Sequence, residues 1–264
     1  MRSASVGFQC PSCVKDGAAT IRRPRAAYGG TAGGRPDVTH ALIGLNVLLF
    51  LVTTATGTGL AFGGNPSSIF QKLALIPSTE LMGRPIIPGH GVAQGAYYRL
   101  LSAMFLHFGI VHIALNMYCL YLLGPALEQA FGRLRFAALY LLSGLAGSAL
   151  SYALGPSYEQ AAGASGAVFG LFAAFFVLQR KRGGDVSQIG LTIGINLAIS
   201  FVASSFIDWR GHVGGLVGGA LVASAVVYAP AGPRRSLYQA GGVAAVALLV
   251  VGVVAVRTAQ LTSA

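Results

Sequence analysis

Charge is scarce in this chain, and negative charge most of all. Seven Asp and Glu stand among 264 residues against eighteen Lys and Arg, and charged residues of both signs make up 9% of the sequence while hydrophobic ones make up 54%. So apolar a composition excludes an ordinary soluble domain and reads as an all-α polytopic membrane bundle, with the lipid bilayer as its solvent. The net charge of +11 does not indicate nucleic acid, because the basic residues fall in short clusters between apolar runs rather than along one face.

The few acidic residues, Asp16, Asp37, Glu80, Glu128, Glu159, Asp185 and Asp208, are all expected in tails or loops. An aspartyl intramembrane protease needs two buried carboxylates and a proton-coupled transporter normally needs one in a span, so both lose their central residue. None of the five histidines is followed by Glu, which removes the His-Glu-x-x-His metalloprotease. Ala167 stands where the hydrolase elbow requires glycine two residues after its serine. Three cysteines make no disulfide framework; Cys119 reads as packing within a membrane helix. Cys10-Pro11-Ser12-Cys13 is half of a zinc-ribbon spacing, and a structural zinc takes four ligands, so no metal and no cofactor is assigned.

Residues 1–36 carry Arg2, Lys15, Arg22, Arg23, Arg25 and Arg35 among Gly, Ala and Pro without apolar periodicity, and read as a flexible cytoplasmic tail. The first apolar run begins near residue 41, so no cleavable signal peptide of ordinary layout is read and membrane entry rests with the first internal helix. Apolar stretches of spanning length follow at 41–62, 104–123, 134–154, 165–179, 187–207, 212–229 and 237–256. Placing the tail in the cytoplasm and alternating sides puts thirteen basic residues inside, among them Arg133, Arg135, Arg180, Lys181, Arg182, Arg234 and Arg235. Five fall outside: Lys72, Arg84, Arg99, Arg210 and Arg257. That is the positive-inside distribution.

The longest connection, 63–99, is rich in Gly and Pro, without helical pattern, and ends in Tyr97-Tyr98-Arg99, suited to the membrane interface. Its apolar residues Ile69, Phe70, Leu73, Leu75, Ile76, Leu81, Ile86 and Ile87 are expected to rest on the outer leaflet. The fourth apolar stretch is short. About 15 residues separate Ser165 from Arg180, roughly 22 Å of helix, against a hydrocarbon core of roughly 30 Å, which sets Ser165 below the outer surface. A serine at a helix N-terminus sits among backbone N–H groups that lack intrahelical partners, a site for developing negative charge.

Gly163-Ala164-Ser165-Gly166 gains meaning from its company. His212 heads the small-residue stripe Gly215, Gly219, Ala223, which matches Gly166 and Gly170 and would let two helices approach until His212 Nε2 reaches Ser165. Phe169, one turn after Ser165, would pack on the imidazole. A packing seam with a histidine at its wet end is the other reading. His112 and Asn116 share one helix face and serve either as donors to an oxyanion or as helix-to-helix hydrogen bonds. Asp208, four residues before His212, reads as a helix cap rather than a triad member. Glu128, in Gly124-x-x-x-Glu128-x-x-x-Gly132, reads as structural, with Arg133 or Arg135 as partner. His107 lines the pocket or anchors the long loop, while His40 and His90 show no arrangement.

Taken together, Tyr98-Arg99-Leu100-Leu101, the run from His107 through His112 to Asn116, Gly124/Glu128/Gly132, Gly163-Ala164-Ser165-Gly166 with Phe169-Gly170, and His212 with Gly214-Gly215 resemble the rhomboid family of intramembrane serine proteases in order and spacing over residues 37–230. The resemblance implies a six-helix core over 37–232, followed by a seventh helix and C-terminus over 233–264. It implies Ser165 as nucleophile, His212 as general base, and His112, Asn116 and the Ser165 N–H as oxyanion hole, supported by Phe169, Gly163 and Gly215. The family's Trp-Arg pair stands here as Tyr98-Arg99, a departure that touches loop anchoring. The Cys10/Cys13 tail resembles the end of a zinc-finger-like extension of some bacterial members without its first half. The implied substrates are single-pass membrane proteins whose transmembrane segment unwinds near its outer end and enters between the second and fifth helices. The implied location is a bacterial plasma membrane with the N-terminus in the cytoplasm. The alternative is a silent rhomboid-like protein that binds membrane clients without cutting them.

Overall fold

The computed structural model describes residues 2–3, 8–20, 28–29, 35–57, 66–81, 84–85 and 89–263. Arg22, Arg23, Arg25, Ile86, Ile87 and the end of the first apolar stretch lie outside the described residues, as do the side chains of Leu81 and Arg84. Ten α-helices order the described chain: α1 (Pro11–Thr20), α2 (Asp37–Ala55), α3 (Ser68–Leu73), α4 (Tyr98–Ser102), α5 (Ile110–Phe131), α6 (Arg133–Leu154), α7 (Ser165–Lys181), α8 (Ser187–Val202), α9 (Trp209–Val227) and α10 (Arg235–Thr262). Two-residue strands pair only locally, Arg2–Ser3 with Phe8–Gln9 and Glu80–Leu81 with Arg84–Pro85.

The seven longest helices after the tail each overlap one of the seven apolar stretches. Five of them, α2, α5, α6, α9 and α10, are long and apolar enough to cross a membrane, while α7 and α8 have 17 and 16 residues. Many large apolar side chains face outward, as on α8 and the turn after it, where Val202 is 90% and Phe206 94% exposed, and on α10 at Leu248 and Val251. Water would penalise such a surface, whereas hydrocarbon is its natural solvent.

The centre of the bundle is set by α6, α7 and α9. A Cβ on Gly215 would collide with the Gly166 carbonyl, and one on Gly219 with the Gly170 backbone. The two helices therefore touch backbone to backbone, as small-residue faces permit when no side chain intervenes. Gly147 on α6 meets the same seam, its missing Cβ lying 2.6 Å from the Gly211 carbonyl oxygen. Around this seam pack Leu139, Tyr140, Ala167, Leu171, Val222 and Val226, all fully buried.

Several sequence expectations are corrected. The second apolar stretch does not start a helix at 104: Ala103–Phe105 form a 3₁₀ turn, and α5 begins only after Gly109. It then runs through Pro125 to Phe131, where Gly132 (φ 83°) turns the chain into α6. Glu128 is accordingly not a loop residue but a buried residue in the last turns of α5. Its carboxylate accepts the Val38 N–H (3.0 Å), the Thr39 N–H (2.8 Å) and the Thr39 hydroxyl (2.8 Å), capping the N-terminus of α2. Arg133 pairs with Asp37 instead, and Arg135 donates to Gln239 Oε1 at 2.8 Å.

The 63–99 connection contains α3 and runs into α4, and its apolar residues Phe70, Leu75 and Ile76 are buried in the protein rather than spread outward. Arg99 is buried rather than interfacial. It donates from Nη1 to the carbonyls of Gln71 (2.8 Å) and Ala74 (2.6 Å) and from Nε to that of His90 (2.9 Å), tying the loop into a fixed shape. Leu75 then bridges Ala161 in both directions, so the loop is fastened to the segment that leads into α7.

Within the tail, Pro11–Thr20 are helical, and the Cys13 N–H donates to Cys10 Sγ at 3.1 Å. The side-chain hydrogen bonds from Cys13 and Ser12 pull the Cys10 thiol down to about 7. Tyr28 packs edge-on against Phe131, with the Arg235 guanidinium over its ring.

Candidate active site

Ser165 is the first residue of α7, and Gly163 and the fully buried Ala164 lead into it. Gly163 holds φ at 143°, a region L side chains rarely occupy, with its N–H donating to the Ala103 carbonyl at 2.9 Å. Its missing side chain matters equally. A Cβ there would lie 2.8 Å from His112 Nε2 and 3.5 Å from Ser165 Oγ, so the imidazole and the hydroxyl flank one small open point. No side chain caps α7 among the described residues, which leaves its first N–H groups without such a partner.

His212, in the first turn of α9, is 9% exposed. Its ring lies parallel to Phe169, 4.2 Å between centroids and 16° between planes. The Gly166/Gly215 contact brings this turn of α9 against the start of α7. No hydrogen bond joins Ser165 Oγ to His212 among the described residues. The Nδ1 of His212 is engaged, with Ser200 Oγ at 2.7 Å.

On α5, Asn116 is 5% exposed and its Nδ2 donates to the His112 carbonyl at 2.8 Å. The His112 ring stacks on Phe108 (8° between planes), and His107 meets it edge-on at 5.0 Å. His107 is fully buried, and neither of its nitrogens has a hydrogen-bond partner among the described residues. It stands behind His112 and does not fasten the long loop through a hydrogen bond. Ser165 borders a cleft that it lines with Ser148, Ser151, Gly163, Gly166 and Asp208.

Asp208 occupies the N-cap position of α9, yet its side chain caps nothing; its carboxylate accepts from the Ser151 hydroxyl and so ties α9 to α6. Ser151 is buried on α6, and its single hydroxyl proton lies between that carboxylate and the Gly147 carbonyl at 3.0 Å. Sequence reasoning passed over Ser200 and Ser151. The signal for Ser200 was present: a hydroxyl one turn after Asn196 in an otherwise apolar helix.

Residues 94–229 match the model of the Rhomboid domain. The chain belongs to the rhomboid family. That match contains His112, Asn116, Ser165, Ser200 and His212. The rhomboid protease GluP of Bacillus subtilis (strain 168) is 35% identical over 210 residues, 75% of this chain and 36% of GluP. YdcA, a rhomboid protein of the same organism, is 36% identical over 149 residues, 54% of this chain and 74% of YdcA. The mitochondrial RHOMBOID-like protein 6 of Arabidopsis thaliana is 35% identical over 165 residues, 60% of this chain and 50% of that protein. This rhomboid thus spans about a third of GluP and half of the plant relative. Membership and the apolar helices together make it a multi-pass membrane protein.

Proposed function

We propose that this rhomboid is an intramembrane serine endopeptidase that cuts transmembrane segments of single-pass membrane proteins. The observation that carries the reading is the backbone contact of Gly166 with Gly215, which sets His212, clamped by Phe169, against the start of α7 where Ser165 stands. Ser165 Oγ attacks the scissile carbonyl while His212 Nε2 takes its proton. The developing oxyanion is held by the Ser165 N–H with His112, which borders the opening left by Gly163, and with Asn116, one turn after His112 on the same helix. His212 returns the proton to the leaving amine, and a water deprotonated by the same imidazole releases the acyl group. A Ser/His dyad without a carboxylate suffices because packing and a hydrogen bond on Nδ1 fix the imidazole.

A peptide bond exposed within a membrane is costly, so substrates with helix-destabilising and small residues near the cut are favoured. The protein resides in the bacterial plasma membrane with its N-terminus in the cytoplasm, consistent with the distribution of basic residues.

The test is proteolysis of a generic single-pass substrate in liposomes. Cleavage by the wild type that vanishes in Ser165→Ala is the expected result. Cleavage that persists in that variant removes Ser165 as nucleophile, and no cleavage by folded wild type across several substrates favours client binding.

A further inference from the structure

Ser200 is the one residue of α8 that is fully withdrawn from the surface, 1% exposed on a helix whose other side chains face outward or sit half-buried. Its hydroxyl stands between two groups: the Asn196 carbonyl oxygen at 2.6 Å and His212 Nδ1 at 2.7 Å. A hydroxyl carries a single proton, and a carbonyl oxygen only accepts. With the proton directed to Asn196, Ser200 presents a lone pair to His212, and Nδ1 must then carry the imidazole hydrogen.

We infer that Ser200 is a positioning residue that holds His212 in the Nδ1–H tautomer and in its ring orientation, leaving Nε2 bare toward α7. The assignment rests on the reading of Ser165 and His212 as nucleophile and base. In that reading Nε2 has to accept the serine proton, and an imidazole in the other tautomer has no lone pair there. Phe169 fixes the plane of the ring, and Ser200 fixes the remaining freedom, a flip about the Cβ–Cγ bond. The nearby carboxylate of Asp208 does not supply this contact because Ser151 occupies it. A neutral hydroxyl also avoids the cost of burying an ionised partner in an apolar bundle. Partners that orient a histidine from behind in metal sites contribute on the order of 10- to 100-fold, and Ser200 is expected to act on that scale.

The experiment uses the full chain in detergent and in liposomes. The ¹⁵N spectrum of histidine-labelled wild type, with the His212 signal assigned by its loss in His212→Ala, reports the tautomer directly. An Nδ1–H imidazole at neutral pH is expected, and an Nε2–H imidazole overturns the assignment without any variant. Ser200→Ala is expected to lower kcat about 10- to 100-fold with KM unchanged, and to give a His212 signal that mixes both tautomers. Ser200→Thr, which keeps the hydroxyl and its reach to Asn196, is expected to return kcat to within about threefold of wild type. Wild-type kcat and an unchanged His212 signal in Ser200→Ala overturn the inference. If Ser165→Ala still cleaves, the protease reading itself falls; if only Ser200→Ala is silent, that reading stands and Ser200 is structural.

Discussion

The Phe169 and His212 rings are stacked, 4.2 Å between centroids and 16° from parallel, although they belong to different helices. Phe169 lies one turn after Ser165, so the residue that clamps the proposed base is rigidly fixed to the helix that carries the proposed nucleophile. Any tilt of α9 relative to α7 is resisted at the ring face as well as at the glycine seam. The stack also fills the space in which the imidazole would otherwise turn away from α7.

Phe169→Ala removes the stack and leaves a void beside a buried imidazole. Stacked rings contribute about 0.5–1.5 kcal/mol beyond burial, equivalent to a roughly two- to tenfold loss of a correctly placed base. The expected outcome is a cleavage rate roughly two- to tenfold lower in liposomes, with Phe169→Tyr retaining most of it. An unchanged rate in Phe169→Ala means that the seam alone orients His212.

The seam itself is tested by one methyl group. Gly215→Ala drives a Cβ into the Gly166 carbonyl, and overpacking of this kind costs about 1–3 kcal/mol. A lower midpoint of thermal unfolding in detergent is expected, with cleavage lost even in the folded fraction because α9 is displaced from Ser165. Gly252→Ala serves as the control, since nothing lies within 4 Å of its added Cβ on α10. That substitution is expected to be neutral or slightly stabilising, by up to about 1 kcal/mol.

What could be read from the sequence was whatever repeats along one helix. The stripe Gly215, Gly219, Ala223 and its counterpart Gly166, Gly170 specify a close helix pair from spacing alone, and the structure sets them backbone to backbone. The seven apolar stretches were legible for the same reason. Contacts that depend on a second, distant segment were not. Glu128 is ninety residues from Val38, and nothing local tells its carboxylate to cap α2 rather than meet Arg133 or Arg135. Arg99 looked interfacial beside Tyr98 because its three carbonyl partners belong to an irregular loop without a period to read. Ser200 is harder still. Its bond to the carbonyl four residues back is made equally by Thr53, Thr192 and Thr262, so the backbone habit of hydroxyls in helices conceals the one that also reaches a histidine.

Asp208→Asn is expected to leave cleavage nearly unchanged. The asparagine oxygen still accepts the Ser151 hydroxyl that the carboxylate accepts now, and His212 Nδ1 is already occupied by Ser200. Asp208→Ala, which leaves Ser151 with only its bond to Gly147, is expected to lower stability by about 1 kcal/mol. A loss of several hundredfold in the Asn variant, measured as initial rate in liposomes, would restore a triad with Asp208 as the third member.

Glu128 gathers three donors from the first turn of α2, and the buried side chain has no access to replacement water. Glutamine keeps one acceptor oxygen but turns an NH₂ toward one of those N–H groups, so donor faces donor. Hydrogen bonds to a charged group contribute about 1.5–3 kcal/mol each, and Glu128→Gln is expected to lose about one of them. Glu128→Ala forfeits all three and leaves the start of α2 uncapped, so its loss should exceed that of Gln. The measurement is thermal unfolding in detergent together with hydrogen exchange of the Val38 and Thr39 amides. Their protection should collapse in both variants while amides in the body of α7, at the fully buried Leu171 and Ala174, stay protected. Equal stability of Gln, Ala and wild type would mean that α2 is held by its apolar face against α5 and that the cap contributes nothing.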